Sequence, residues 1–207
     1  MTESNHSSLK NDTLNAIAKR RSVRVFVDSP VPEDHIVAIL RAANQAPSAH
    51  NQQSWRFVIV RGEKKTDLAH LVTSCAVRFP RPASVLLRMA ARSIVSAPVV
   101  IAVANTGELI ARGTDLFKVE KLTAEDFFRT MEIQNSAAAV ENLLVAATSL
   151  GLSTVWLGIL FLIKDDVLRF LGERRGEFMA VVPLGYAQRP SSGPKKIPVE
   201  RVVKYLE

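Results

Sequence analysis

Two short stretches hold most of the side chains that could act on a ligand. Arg20-Arg21-Ser22-Val23-Arg24 puts three guanidinium groups and a hydroxyl into five residues, a dense set of fixed donors suited to a phosphate. The same run follows directly on an expected helix, and positive side chains favour helix C-termini whether or not a ligand is present. The second stretch, Pro47-Ser48-Ala49-His50-Asn51-Gln52-Gln53-Ser54-Trp55, is rich in amide side chains. These offer a donor and an acceptor together, which matches the mixed edge of a heterocycle, but Ser and Asn are also common turn formers. On their residues alone, both readings of both stretches stay open.

Other routes to reactivity are missing. The chain has no G-x-S-x-G elbow, no Walker A loop and no G-x-G-x-x-G fingerprint, so a tightly held dinucleotide is not expected and any nicotinamide donor would bind transiently. Cys75 is the single cysteine, and His6, His35, His50 and His70 are scattered without metal-ligand spacing, so no metal is expected. Lys and Arg outnumber Asp and Glu by 27 to 20, which favours anionic partners without naming one. The densest basic stretch, Arg78, Arg81, Arg88 and Arg92, lacks interleaved aromatics and reads better as a solvated helix face than as a nucleic-acid surface. The longest apolar run, from Ile94 to Ala104, is broken by Ser96 and Pro98 and is too short to span a bilayer. With a polar N-terminus and no leader, the expectation is a soluble, cytoplasmic protein that binds neither membrane nor nucleic acid.

Local patterns indicate what must position the two stretches. Asp12 is expected to cap a first helix with Leu14, Ile17 and Ala18 on one face. A second helix begins at Glu33 and Asp34, where acidic residues complement the dipole, and carries the stripe Ile36, Ile39, Leu40 and Ala43. Pro47 forbids its continuation. Strands are expected at Trp55 to Arg61, at the doubly buried Pro98 to Ala104, at Ser153 to Leu157 and at Phe178 to Leu184. Further helices fall at Lys64 to Ala76, in the second half of Val77 to Ser96, from Thr123 or Asp126 to Leu150 before Gly151, and from Asp165 to Leu171 before Gly172. The long helix carries a small face of Ala137, Ala138, Ala139, Ala146 and Ala147. Asn105 to Leu122 shows no legible period. Four strands and about six helices that do not simply alternate predict an α+β fold, organised as a flexible segment 1–12 and one domain 13–207.

The two stretches, in this order, resemble the nitroreductase family. The likeness runs from Ala18-Lys19-Arg20-Arg21-Ser22-Val23-Arg24-Val25-Phe26 through Ala46 to Phe57. It returns at Ala139-Val140-Glu141-Asn142-Leu143-Leu144 and at Gly151 to Gly158, and closes with Val182-Pro183-Leu184-Gly185-Tyr186. The resemblance implies a three-layer α-β-α fold with a mainly antiparallel central sheet, an intertwined homodimer, and FMN at two sites shared between the subunits. Arg20, Arg21 and Ser22 would hold the phosphate and ribityl end, with Arg24 at the pyrimidine edge. Pro47, Ser48, Ala49 and Asn51 would reach the flavin bound mainly by the partner, with Gln53 supporting their loop. Leu157 and Gly158 would pass near the flavin N5, and Lys196, helped by Lys195, falls where the family often has a phosphate-binding arginine.

The implied activity is an NADH- or NADPH-driven, two-electron, ping-pong reduction of a small organic acceptor such as a nitro compound or quinone. No side chain is expected to be catalytic, because the flavin carries the chemistry. Relatives of this fold also dehalogenate, dehydrogenate rings or consume flavin, and a flavin-binding protein without efficient turnover is a further alternative. Two positions depart from the family pattern. Ser54 replaces a usual proline and is expected to loosen the loop; Asn135 stands where an aspartate is common, with no consequence assigned.

Overall fold

The computed structural model describes residues 11–116, 120–173, 176–190 and 192–206, apart from the side chains at 114 and 116. The first ten residues of the segment expected to be flexible lie outside the described residues. Four strands, β1 (Trp55–Val60), β2 (Val99–Asn105), β3 (Ser153–Thr154) and β4 (Phe178–Gly185), form one sheet in the order β1-β2-β4-β3, and every pairing between them is antiparallel. Seven α-helices surround it among the described residues: α1 (Asp12–Lys19), α2 (Glu33–Asn44), α3 (Gly62–Ala76), α4 (Ala83–Ser96), α5 (Glu108–Leu116), α6 (Lys121–Ser149) and α7 (Lys164–Leu171).

The layers follow from side-chain alternation along the central strands. Val100, Ala102 and Ala104 of β2 pack with Leu68 and Val72 of α3, Leu87 and Ile94 of α4 and Val167 of α7. Val99, Ile101 and Val103 face the other way, against Ile36 and Ile39 of α2 and Val140 and Leu143 of α6. All seven residues of β2 are buried, as its unbroken apolar run predicts for a strand covered on both faces, and so are all eight of β4. The result is the expected three-layer α+β fold.

Several boundaries differ from expectation for definite reasons. β3 stops after two residues because its next partner on β4, Pro183, has no N–H to return; Val155 and Leu157 still donate to the carbonyls of Pro183 and Val181 at 3.4 and 3.0 Å. From Gly158 to Ile163 the chain instead coils into a 3-10 helix. At α1 the cap is Asn11, whose side chain accepts from the Leu14 amide at 3.1 Å, not Asp12. The face of α1 turned to the core carries Ala16, leaving Leu14 and Ile17 about half exposed, at 49% and 50%. α6 begins at Lys121, and α5 fills part of the stretch that has no legible period. Gly151 and Gly172 do stop their helices in left-handed conformations, with φ of +76° and +78°. Of the small face of α6, Ala139 and Ala147 are buried within the chain and Ala137, Ala138 and Ala146 are half-buried; Asn142 donates to the Ala42 carbonyl of α2 at 3.1 Å.

Candidate functional site

The arginine turn follows α1 without a break. Arg20 closes that helix by donating its amide to the Ala16 carbonyl, and its half-buried guanidinium lies 3.8 Å from the Glu141 carboxylate on α6. Ser22 stands beside Thr154 in a lone parallel β-bridge, where Val23 donates to the Thr154 carbonyl at 2.9 Å. That bridge ties the turn to β3, and so to the segment carrying Leu157 and Gly158. Val23 and Phe26 bury their side chains with Ala97, which leaves Ser22 and Arg24 at the surface.

Arg24 is where two cavities meet. One, of 330 Å³, is lined by Ser22, Arg24, Gln188 and Arg189 among others; the second, of 190 Å³, by Arg24, Leu86, Met89, Trp156, Leu157 and Gly158. A cationic turn therefore runs into an apolar slot whose wall comes from α4. Gly158 is exposed, and nothing stands within 4 Å of the place a Cβ would occupy, so a flat ligand can approach the backbone there. Thr154, at the back of this region, is buried, and its hydroxyl has no hydrogen-bond partner among the described residues.

Arg21 is engaged differently. Its Nε donates to the Ser192 carbonyl at 2.7 Å, and its Nη1 to the carbonyls of Ala18 and Arg20 at 2.6 and 2.7 Å. Gly193, at φ +67°, packs on the same side chain so closely that a Cβ would fall 2.5 Å from Arg21 Cδ. The guanidinium thus fastens the C-terminal segment to the end of α1. Lys195 and Lys196 follow in that segment, both exposed, and neither lines the two cavities at Arg24.

The polar loop makes a separate surface. His50, Asn51 and Gln53 have φ of +53°, +52° and +48°, a region that costs non-glycine residues about 1 to 3 kcal/mol each unless the surroundings over-determine it. Here they do. The Ser48 hydroxyl accepts from the Gln53 amide at 3.0 Å, the Ser48 carbonyl from the Asn51 amide at 3.0 Å, and Asn135 Oδ1 of α6 from the Ala49 amide at 3.2 Å. Trp55 anchors the exit, buried and donating its indole N–H to Asn44 at 2.9 Å. Ser54, expected to loosen the loop, is buried; its carbonyl accepts from the Thr106 amide at 2.8 Å, and its hydroxyl has no hydrogen-bond partner among the described residues. Pro47, Asn51 and Gln53 are exposed, with Ser48 and Ala49 half-buried.

Within one chain the turn and the loop stay apart. α6 touches the loop at Asn135 and the turn at Glu141; six helical residues separate those contacts by about 9 Å along the axis and about 120° around it. No loop residue lines the cavities at Arg24. The apolar wall from α4 and Thr154 reach the site only through tertiary packing, which leaves no local pattern in the residues. The basic segment does not join it as one unit. Arg78 bonds Asp166, while Arg88 and Arg92 share a groove between α3 and α4 with His70. Among the described residues no cluster of His, Cys, Asp and Glu could hold a metal, and no helix is long and apolar enough to cross a membrane.

Comparison with known proteins bears on this geometry. The model of the Nitroreductase family matches residues 17–186. A Thermus thermophilus protein named NADH dehydrogenase is 31% identical over 208 residues, covering 93% of this chain and 95% of its own. A Methanothermobacter thermautotrophicus protein with a provisional NADH dehydrogenase/NAD(P)H nitroreductase name is 31% identical over 196 residues, covering 88% of this chain and 82% of its own. Among solved structures, a nitroreductase with bound FMN from Desulfitobacterium hafniense superposes with a TM-score of 0.69 at 23% identity, over 95% of this chain and 99% of its own.

Proposed function

The chain belongs to the nitroreductase family and is an oxidoreductase, and from that premise we propose that it binds FMN and uses NADH or NADPH to reduce a small organic acceptor by two electrons in a ping-pong cycle. The observation that carries this reading is the position of Arg24, shared between a polar cavity beside Ser22 and an apolar slot ending at Gly158. The donor set fits the cofactor. Arg20 and Ser22 supply charge and a hydroxyl to a phosphate, Arg24 offers a fixed positive charge to the electron-rich edge of the ring, and the open backbone at Gly158 leaves room for a flat heterocycle. Bound FMN would supply a two-electron carrier that no side chain of this protein can replace. The protein's own work is then to bind, orient and exclude water, with Leu86 and Met89 forming the apolar wall.

In the same reading the protein is a homodimer whose polar loop reaches the partner's flavin, and residues 13–207 form one FMN-binding unit. Unpartnered apolar surface supports the dimer. Among the described residues β1 is an open sheet edge, and beside it Val37, Leu40 and Phe57 line a groove of 550 Å³. The C-terminal segment meanwhile exposes Ile197, Val199, Val202, Tyr205 and Leu206, and an open edge with an apolar groove invites such a segment. An absorption spectrum of the purified protein, followed by NADH and NADPH oxidation with a quinone and a nitroaromatic, tests the proposal. Stoichiometric flavin and parallel initial-rate lines are expected; a colourless monomer that takes up no FMN at micromolar concentration would end it.

A further inference from the structure

The buried polar residues of α6 point to a device that the arginine turn does not need. Glu132 is fully buried, and its Oε1 accepts from the Leu109 amide at 2.6 Å, in the first turn of α5. One turn later on the same side of α6, Asn135 Oδ1 accepts from the Ala49 amide of the polar loop. The two clamped segments are also joined at the surface. Gln52 of the loop donates to Glu108 at 3.3 Å and accepts from Arg112 at 3.0 Å. Beneath them Leu109, Ala124 and Phe128 form a small apolar cluster that includes Ala49.

We propose that Glu132 is a positioning residue for flavin binding: by accepting the amide at the start of α5 it fixes α5 and the 48–53 loop to α6 as one rigid body, and so sets the loop that covers the partner subunit's cofactor. The inference rests on the FMN reading above. Its physical basis is that the left-handed residues of the loop cannot hold their conformation unaided, and a helix start needs an acceptor for amides that its own turns leave unpaired. On its own side the Glu108 amide donates to the Thr106 hydroxyl at 3.4 Å. The buried carboxylate supplies the stronger acceptor from a different helix.

The test compares FMN dissociation constants and melting temperatures of the full-length protein with those of Glu132→Gln, which keeps an acceptor oxygen, Glu132→Leu, which removes it, and the exposed double variant Glu108→Ala/Arg112→Ala. Glu132→Leu should weaken FMN binding about tenfold, as expected for a buried amide left unpaired. Glu132→Gln should restore it to within about threefold, and the surface double variant should weaken it about two- to threefold. A purely structural role would lower the melting temperature of Glu132→Leu and leave the FMN constant of the folded protein unchanged, which overturns the inference. If Glu132→Leu does not fold, an unchanged FMN constant in the surface double variant overturns it instead. Failure of the unsubstituted protein to take up FMN would overturn the flavin reading and this inference together, whereas normal uptake with insensitive variants would overturn the inference alone.

Discussion

At the arginine turn no non-glycine residue has a positive φ, and the donors stand within five residues of one another, tied to β3 by the bridge between Ser22 and Thr154. In the polar loop three of four consecutive residues from His50 to Gln53 are left-handed, and the acceptor that secures Ala49 comes from Asn135, 86 positions away. A cationic patch can be built from sequence neighbours on relaxed backbone, because charge acts over several ångströms and tolerates imprecision. A loop that must present backbone and small side chains at fixed angles needs strain, and strain needs support from elsewhere in the fold.

The contrast can be broken first at its stronger end. Arg20→Ala removes a charged donor and leaves the backbone as it was, so its effect should fall on cofactor affinity: about a hundredfold weaker FMN binding, from the loss of about two charge-assisted hydrogen bonds, with little change in melting temperature. Flavin absorbance of the purified variant reads this directly, and stoichiometric yellow cofactor would remove Arg20 from the site. At the loop the effect should fall on stability. Asn51→Val puts a β-branched residue at φ +52° and should cost about 1 to 2 kcal/mol, whereas His50→Gly should leave stability unchanged or raise it by up to about 1 kcal/mol. Denaturant midpoints of the two variants moving in the same direction would mean that the loop is not strained as described. Arg21→Ala is a smaller and sharper test. Because its guanidinium holds Ser192 and packs on Gly193, the variant should speed proteolysis of the C-terminal segment several-fold while weakening FMN binding less than Arg20→Ala does.

These differences also mark what could be read from the chain. The sheet and the two core faces were legible because Val99 to Ala104 and Phe178 to Leu184 are unbroken apolar runs, and Ile36, Ile39 and Ala43 keep helical spacing. The arginine turn was legible for the same reason: its chemistry is local. β3 was overestimated because its length depends on Pro183, a residue of another strand that cannot donate. α5 was missed because an acceptor from Glu132 and packing of Gly113 against the Phe128 ring help fix it in place, and neither contact leaves a periodic trace. Asn135 registered only as a departure from a family pattern; its job as acceptor for Ala49 appears once α6 is laid beside the loop.

The finest version of the comparison concerns charge at Glu132. Burial pushes its carboxyl above the usual glutamate range, while the amides of Leu109, Ile110 and Gly107 pull it back down, and burial is the larger effect. A carboxyl whose native pKa exceeds its unfolded one contributes its full stability below the unfolded value and loses it as pH rises through the native value. Glutamine has no proton to lose. The melting temperature of Glu132→Gln minus that of the unsubstituted protein should therefore increase as pH rises from about 4 to about 7, the opposite of what a paired surface carboxylate would give. If the difference shrinks instead, the charge itself, acting on the start of α5 through the helix dipole, outweighs its burial. The loop would then be held by electrostatics like those of the arginine turn, and the distinction between the two regions would narrow to backbone strain alone.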